Sequence, residues 1–217
     1  FDPARIGYQG KSKTMTEPRQ AVALGVGRII GDSFEEIERL TTIAAETGLT
    51  ARVMVRVTAG VEAHTHEYIA TAHEDQKFGF SITGGDAFEA VRRVLAADGL
   101  ELLGLHSHIG SQIFDSAGFE VAARRVLALQ ARVSQELAVT PPEMDLGGGF
   151  GIAYTSEHDP LDPALLAKSL AAIVTRECES RGIAVPRVSV EPGRAIAGPS
   201  TFTLYTVGTL KDVPLDH

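Results

Sequence analysis

The sequence has 217 residues, of which 44% are hydrophobic and 22% are charged, and this composition is typical of one globular domain. Its formal net charge of −8 argues against nucleic acid or an anionic membrane as the main partner, although arginines and backbone N–H groups could still form a local anion site. The single cysteine excludes an internal disulfide framework and favours a cytoplasmic protein, and no apolar run is long enough to predict a membrane span.

Strand-like apolar runs alternate with amphipathic, helix-like runs along the chain. Strands are predicted at residues 5–8, 26–30, 51–57, 102–106, 144–146 and 187–190, and helices at 17–24, 34–47, 86–97, 115–137 and 163–181. This alternation predicts an α/β fold with a parallel sheet covered by helices. About six β–α units are visible where a (β/α)8 TIM-type barrel needs eight, so we expect an incomplete barrel over residues 1–198. The β-rich run 202–207 predicts that residues 199–217 begin a separate β domain.

Three predicted strands end in segments rich in glycine or polar residues, and the active site of a barrel gathers at such strand ends. The segments are H-S-H-I-G-S-Q at 106–112, G-G-G-F-G at 147–151 and E-P-G-R at 191–194. A glycine run alone is often only a tight turn. Two adjacent strand ends with glycines and a guanidinium could instead supply the donors for one phosphate group. The residues predicted to form this anion site are Gly147, Gly148, Gly149, Phe150, Gly151, Gly193 and Arg194.

The ionisable side chains at these strand ends leave two interpretations open. A carboxylate buried at Glu191 needs a partner, which is either a cation within the barrel or the protonated ring nitrogen of pyridoxal phosphate. His106 and His108 leave the same face of the chain, and metal ligation is possible there, but no acidic residue lies at a matching sequence spacing. His108 could instead stack on an aromatic ring, and Ser111 could donate to a phosphate.

Two further patterns are weaker candidates for chemistry. His64 and His66 form A-H-T-H-E in a long segment after a strand, where histidines are usually solvated or satisfied by local contacts. Cys178 lies in an amphipathic helix away from the strand ends, which favours a structural role over a nucleophilic one. We therefore predict no metal site and no nucleophilic cysteine.

Together these motifs resemble the alanine-racemase-like-barrel family of pyridoxal-phosphate-dependent decarboxylases over most of the chain. The matching segments are V-R-V at 55–57, K-F-G-F at 77–80, H-S-H-I-G-S-Q at 106–112, L-G-G-G-F-G-I at 146–152 and E-P-G-R-A-I at 191–196. Within the family, A-H-T-H-E-Y-I followed by K-F-G-F is most similar to the diaminopimelate branch. Ornithine and arginine decarboxylases share the glycine and E-P-G-R segments and remain alternatives.

The resemblance implies roles for residues of all three strand-end motifs. His108 would stack on the ring of pyridoxal 5′-phosphate, and Glu191 would pair with its nitrogen, which makes these two the catalytic candidates. Ser111, the run 147–151 and Gly193 would hold the phosphate of the cofactor.

The resemblance also implies a substrate and an assembly. Arg56 would lie under the cofactor, and Arg194 would contact either the phosphate or the distal carboxylate of the substrate. The implied reaction is decarboxylation of a small-molecule amino acid by a homodimer. In the diaminopimelate branch, meso-diaminopimelate gives L-lysine and CO2.

Two segments of the family are not found in the sequence. The Schiff-base lysine follows the first barrel strand in a Y-A-x-K segment, and Lys77 is no substitute because its K-F-G-F match belongs to a later loop. The catalytic cysteine of a C-E-S-x-D segment is also absent, since the E-C-E-S around Cys178 continues with Arg181 and Gly182. We therefore expect a fragment with barrel units three to eight and no decarboxylase activity of its own. A non-catalytic phosphate- or cofactor-binding barrel is the rival hypothesis.

Overall fold

The computed structural model describes residues 1–60 and 78–212, in which strands and helices alternate. The strands are β1 (Gly7–Tyr8), β2 (Arg28–Gly31), β3 (Ala51–Thr58), β4 (Phe80–Ser81), β5 (Leu100–His106), β6 (Glu143–Gly148) and β7 (Arg187–Glu191). The helices are α1 (Thr16–Ala23), α2 (Phe34–Thr47), α3 (Asp86–Ala96), α4 (Ala117–Leu137), α5 (Pro163–Arg181) and α6 (Gly193–Ala197). No helix within the described ranges is long and apolar enough to cross a membrane.

The strands form one sheet with the order β1-β2-β3-β5-β6-β7, and β4 pairs with the end of β3. Every described pair is parallel, which requires a crossover connection between neighbouring strands. Among the residues that the structure describes, β1 and β7 do not pair with each other, so the sheet is an open part of a barrel. The predicted α/β class and incomplete TIM-type barrel are therefore confirmed.

The register of the sheet lines up polar residues from neighbouring strands. Arg56 on β3 pairs with His106 at the end of β5, and His106 pairs with Asp145 on β6. The register then shifts between Asp145 and Gly148, and Gly148 pairs with Glu191 at the end of β7. Because all these strands run in the same direction, the residues meet at one edge, formed by the carboxyl ends of the strands.

Local sequence signals explain where the longer helices begin and end. The Ser33 hydroxyl accepts the N–H of Glu36 at 3.2 Å, which caps α2, and Gly48 ends that helix with a φ of 67°. Asp162 caps α5 by accepting the N–H groups of its first turn, and Pro163 occupies the first helical position. The apolar faces of these helices pack on the sheet in one hydrophobic core.

The predicted strand at 202–207 is not formed. Residues 201–212 contain no helix or strand, and Phe202, Leu204 and Tyr205 are almost fully exposed. Extended chain is stabilised by pairing with another strand, and no described strand lies beside this run. The assignment of residues 199–217 to a β domain remains a prediction.

Candidate functional site

The carboxyl ends of the strands bring together four predicted site residues, from β3, β6, β7 and the loop after β5. Nδ1 of His108 lies 3.9 Å from Oε2 of Glu191. A Cβ at Gly147 would stand 3.0 Å from the same His108 nitrogen. The charge of Arg56 acts on both His108 and Glu191. These four residues, Arg56, His108, Gly147 and Glu191, therefore surround one small volume.

Glu191 is anchored through one carboxylate oxygen. Its Oε1 lies 3.3 Å from Nε2 of His106, whose side chain is 0% exposed. Burial raises the pKa of Glu191, but a hydrogen bond and electrostatic attraction from His106, with a hydrogen bond from Gln9, hold the pKa below its usual value. Glu191 is therefore ionised at neutral pH. Because a carboxylate only accepts, His106 Nε2–H must be the donor.

Asp145 lies beside this pair. One carboxylate oxygen of Asp145, one ring nitrogen of His106 and one carboxylate oxygen of Glu191 all lie within 4.8 Å of one another. Burial raises the pKa of Asp145, while attraction to His106 and a 2.7 Å hydrogen bond from the Gly147 N–H oppose that rise. No acidic residue lies at a matching sequence spacing, but neighbouring strands bring two acidic residues, Asp145 and Glu191, close to His106. The prediction of no metal site remains a prediction.

His108 is held as a neutral ring. Its Nδ1 accepts the N–H of Gly148 at 3.1 Å, so that nitrogen carries no proton. Burial, reinforced by Arg56 and His106, lowers the pKa of His108 to about 4. A neutral imidazole of fixed orientation is suited to packing flat against another aromatic ring.

Arg56 is a largely buried cation with partners on two sides. Its Nη1 lies 3.5 Å from Oδ1 of Asp32, and its guanidinium carbon lies 4.7 Å from the centre of the Phe78 ring. Asp32 also accepts the N–H of Gly79 at 3.1 Å. Burial lowers the pKa of Arg56 and raises that of Asp32, and the attraction between the two charges opposes both shifts. Arg56 and Asp32 thus join Phe78 and Gly79 of the K-F-G-F motif to β3.

The glycine run 147–151 is shaped by close approach of neighbouring backbones. Its first two glycines lie inside β6 rather than after the strand, which corrects the predicted end of the strand. At Gly147, Gly148 and Gly149 a Cβ would stand 2.2–2.3 Å from a backbone oxygen of an adjacent segment. Real Cβ atoms essentially never approach another heavy atom closer than 3.0 Å, so only glycine fits at these three positions.

Many backbone donors of this run are used within the protein. The N–H groups of Gly147 and Gly148 bond to side chains, and that of Gly151 bonds to a backbone carbonyl. A phosphate at this edge would therefore depend on other donors. Ser111 lies half-buried in the loop after β5, and Gly193 begins α6 with no atom within 4 Å of where its Cβ would stand. Backbone at Gly193 is therefore open to a ligand.

Two predicted site residues lie outside this cluster. Arg194 is exposed on α6 and donates to the hydroxyl of Tyr154 at 2.5 Å. The Phe150 ring stacks on Phe119 in the core, with 4.9 Å between ring centres. Only the backbone of Phe150 could therefore face a cofactor, whereas the side chains of Arg194 and Tyr154 are both exposed.

Three residues of the site were missed by sequence reasoning. Asp32, Asp145 and Gln9 each lie within or just beyond a predicted strand. The signal was an ionisable or amide side chain near the end of a strand, the same signal that identified Glu191. Cys178 is fully buried in α5, away from the strand ends. His64, His66 and Lys77 lie outside the described residues.

Known sequences similar to this chain point to one family. A family model described as pyridoxal-dependent decarboxylase, pyridoxal binding domain, matches residues 1–198. The chain is 56% identical to a diaminopimelate decarboxylase of Mycobacterium leprae, over 98% of this chain and 46% of that relative. It is 40% identical to a diaminopimelate decarboxylase of Bacillus subtilis, over 99% of this chain and 49% of that relative. The chain spans about half the length of the curated relatives it matches.

Solved structures share the fold. A diaminopimelate decarboxylase of Helicobacter pylori complexed with L-lysine has a TM-score of 0.80 at 28% identity, over 90% of this chain and 47% of that chain. A diaminopimelate decarboxylase of M. jannaschii in complex with L-lysine has a TM-score of 0.81 at 27% identity, over 90% of this chain and 44% of that chain.

Proposed function

This chain belongs to the family of pyridoxal-dependent decarboxylases, and on that premise we propose that the protein uses pyridoxal 5′-phosphate to remove CO2 from an amino acid. The proposed substrate is meso-diaminopimelate, which gives L-lysine. The observation that carries the proposal is an ionised carboxylate, Glu191, held by a buried His106 beside the neutral ring of His108.

The residues at this edge of the sheet fit a pyridoxal ring. A protonated ring nitrogen needs an ionised carboxylate, and His106 keeps the pKa of Glu191 low. A flat aromatic ring needs a flat neighbour without charge, and His108 has a pKa of about 4. The exposed Gly193 follows Glu191 by two residues, where the chain turns from β7 into α6.

Each of these residues then has a separate task. The bound pyridoxal group supplies an electron sink for the electron pair that remains when the carboxylate leaves. Glu191 would accept the N–H of the ring nitrogen and so favour its protonated form. His108 would pack against the ring and exclude water from it. Ser111 and the backbone at Gly193 would bind the phosphate, and Arg56, which lies 3.5 Å from Asp32, would supply a positive charge near the cofactor.

Arg194 favours diaminopimelate over the alternative substrates. Diaminopimelate carries a second carboxylate far from the reacting carbon, whereas ornithine and arginine carry a cation there. The exposed guanidinium of Arg194, which donates to the Tyr154 hydroxyl, would attract that carboxylate and repel a cation. Relatives of 51–56% identity are named diaminopimelate decarboxylases, which supports the same choice.

We also propose that the protein acts as a cytoplasmic homodimer. The resemblance to the family implies this assembly. Sedimentation of the natural gene product measures the assembly, and a monomer at micromolar concentration would contradict a stable dimer.

The function is tested by CO2 release from the natural gene product supplied with pyridoxal 5′-phosphate. We expect kcat/KM for meso-diaminopimelate to exceed that for L-ornithine or L-arginine by at least about a hundredfold, the worth of one strong charge-assisted contact. Arg194→Leu should reduce that preference, while Arg176→Leu, an exposed arginine on α5, should leave it unchanged. Preference for ornithine or arginine would refute the substrate, and cofactor binding without CO2 release would favour the non-catalytic barrel.

A further inference from the structure

We propose that His106 is a positioning residue for Glu191, which it fixes by donating its Nε2–H to Oε1 of that carboxylate. The role of this contact toward the cofactor rests on the proposed function. The contact itself belongs to the chain and can be measured without a cofactor.

The burial of His106 makes the contact specific. The ring is 0% exposed, so water does not compete for Nε2, and the described residues provide no hydrogen-bond partner for Nδ1. A buried N–H without an acceptor is costly, and Glu191 removes that cost for Nε2. The contact joins residues 85 positions apart and therefore depends on the packing of the whole sheet.

Glu191 needs an anchor because its own strand is an edge of the described sheet. Residues of β7 are partly exposed, whereas β5 lies inside the sheet between β3 and β6. His106 therefore ties a carboxylate on an edge strand to an interior strand. The charged and titratable groups facing Glu191 from the packed elements are Arg56, His106, His108 and Asp145.

Asp145 supports His106 from the neighbouring strand. The two residues are in register, and a carboxylate oxygen of Asp145 lies within 4.8 Å of a His106 ring nitrogen. Asp145 therefore places a second carboxylate beside the His106 ring, on the strand next to β5. Asp145 is in turn fixed by the N–H of Gly147, so the glycine run and Glu191 are connected through His106.

The rival explanation is that His106 only fills space in the barrel. Three substitutions separate the two roles. His106→Phe keeps a ring of similar size without a donor, His106→Gln places an amide N–H near the position of Nε2, and His106→Asn places one near Nδ1 only. If His106 positions Glu191, the pKa of Glu191 should be preserved in His106→Gln and changed in His106→Phe and His106→Asn.

The first measurement is a 13C NMR titration of the Glu191 carboxyl in the complete 217-residue chain without cofactor. We expect His106→Phe and His106→Asn to raise the pKa of Glu191 by roughly one to two pH units, while His106→Gln leaves it close to that of the wild type. Gln130→Leu is the control, because Gln130 is equally buried but lies in α4. If His106→Phe does not fold, the comparison of Gln with Asn gives the same answer. An unchanged Glu191 titration in the folded donor-free variants would overturn the positioning role.

The second measurement separates this inference from the proposed function. In the cofactor-bound protein, 15N NMR of labelled pyridoxal 5′-phosphate reports whether the ring nitrogen is protonated. The inference predicts a loss of protonated nitrogen in His106→Phe that is restored in His106→Gln. If Glu191 responds to His106 but the ring nitrogen does not respond to Glu191→Gln, the proposed function fails and the His106–Glu191 contact stands. A ring nitrogen that responds to Glu191→Gln but not to His106→Phe would overturn the inference alone.

Discussion

Replacing Gly148 by alanine should force apart β6 and β7, two of the strands that carry the proposed site. A Cβ at this position would lie 2.2 Å from the carbonyl oxygen of Glu191, where ordinary contact begins at 3.4 Å. The backbone of β7 would therefore have to retreat by roughly 1 Å, since two backbones packed in a sheet have no flexible side-chain end to give way. Gly148 does not have a positive φ, so the cost comes from this contact rather than from backbone strain.

The expected loss of stability combines two effects. Overpacking of this kind costs about 1–3 kcal/mol. The retreat of β7 also lengthens the 3.3 Å contact between His106 and Glu191, and loss of a hydrogen bond to a charged group adds about 1 kcal/mol or more. We therefore expect Gly148→Ala to reduce the free energy of unfolding by about 2–4 kcal/mol.

Urea unfolding followed by circular dichroism measures this loss, with Gly193→Ala as the matched control. No atom lies within 4 Å of where a Cβ at Gly193 would stand, so that variant should unfold within about 0.5 kcal/mol of the wild type. Equal stability of the two alanine variants would show that β6 and β7 are not held together as closely as described.

Three further predictions concern titration, anion binding and a buried ion pair. His108 has a pKa of about 4 when folded and an ordinary value of 6.5 when unfolded, so the unfolded state binds more protons and stability should fall by about 2 kcal/mol between pH 7 and pH 5. His108→Asn should remove this part of the pH dependence. If urea unfolding showed the same fall in stability between pH 7 and pH 5 in the variant and the wild type, the low pKa of His108 would be contradicted. Inorganic phosphate should shift the amide NMR signal of Gly193 more than that of Gly147, because the Gly147 N–H already donates to Asp145. Equal shifts would show that Gly193 does not bind phosphate in preference to Gly147. Lys13→Met should lower the free energy of unfolding by about 3–5 kcal/mol, because the buried carboxylate of Glu36 loses the cation that lies 2.9 Å from it. A loss below about 1 kcal/mol, measured by urea unfolding, would show that water reaches this pair.

The β–α alternation and the strand-end motifs could be predicted from the sequence because both are local. Helix α5, for example, begins after the capping residue Asp162 and ends at Gly182, and both residues are recognisable from the local sequence. The end of β6 could not be predicted, because glycine disfavours strands and only pairing with Glu191 on β7 keeps Gly148 in the sheet. Residues 202–207 show the opposite case. Their composition favours a strand, but no described strand pairs with them, and they form none.

The partners of Glu191 depend on sheet order and register, which no local pattern contains. His106 was considered only as a possible metal ligand together with His108, and its contact with Glu191 spans 85 positions. Asp145 was passed over as part of an apolar strand, and it reaches the site only because β6 lies between β5 and β7. An ionisable residue in a short strand next to a glycine run was the available signal.

The central claim is that Glu191 pairs with the ring nitrogen of pyridoxal 5′-phosphate. The 15N chemical shift of that nitrogen in the bound, labelled cofactor tests it most directly, at a mildly alkaline pH and in both the wild type and Glu191→Gln. The account predicts a protonated nitrogen in the wild type and an unprotonated one in Glu191→Gln, with the cofactor bound in both. An unprotonated nitrogen in the wild type, or the same shift in both proteins, would contradict it.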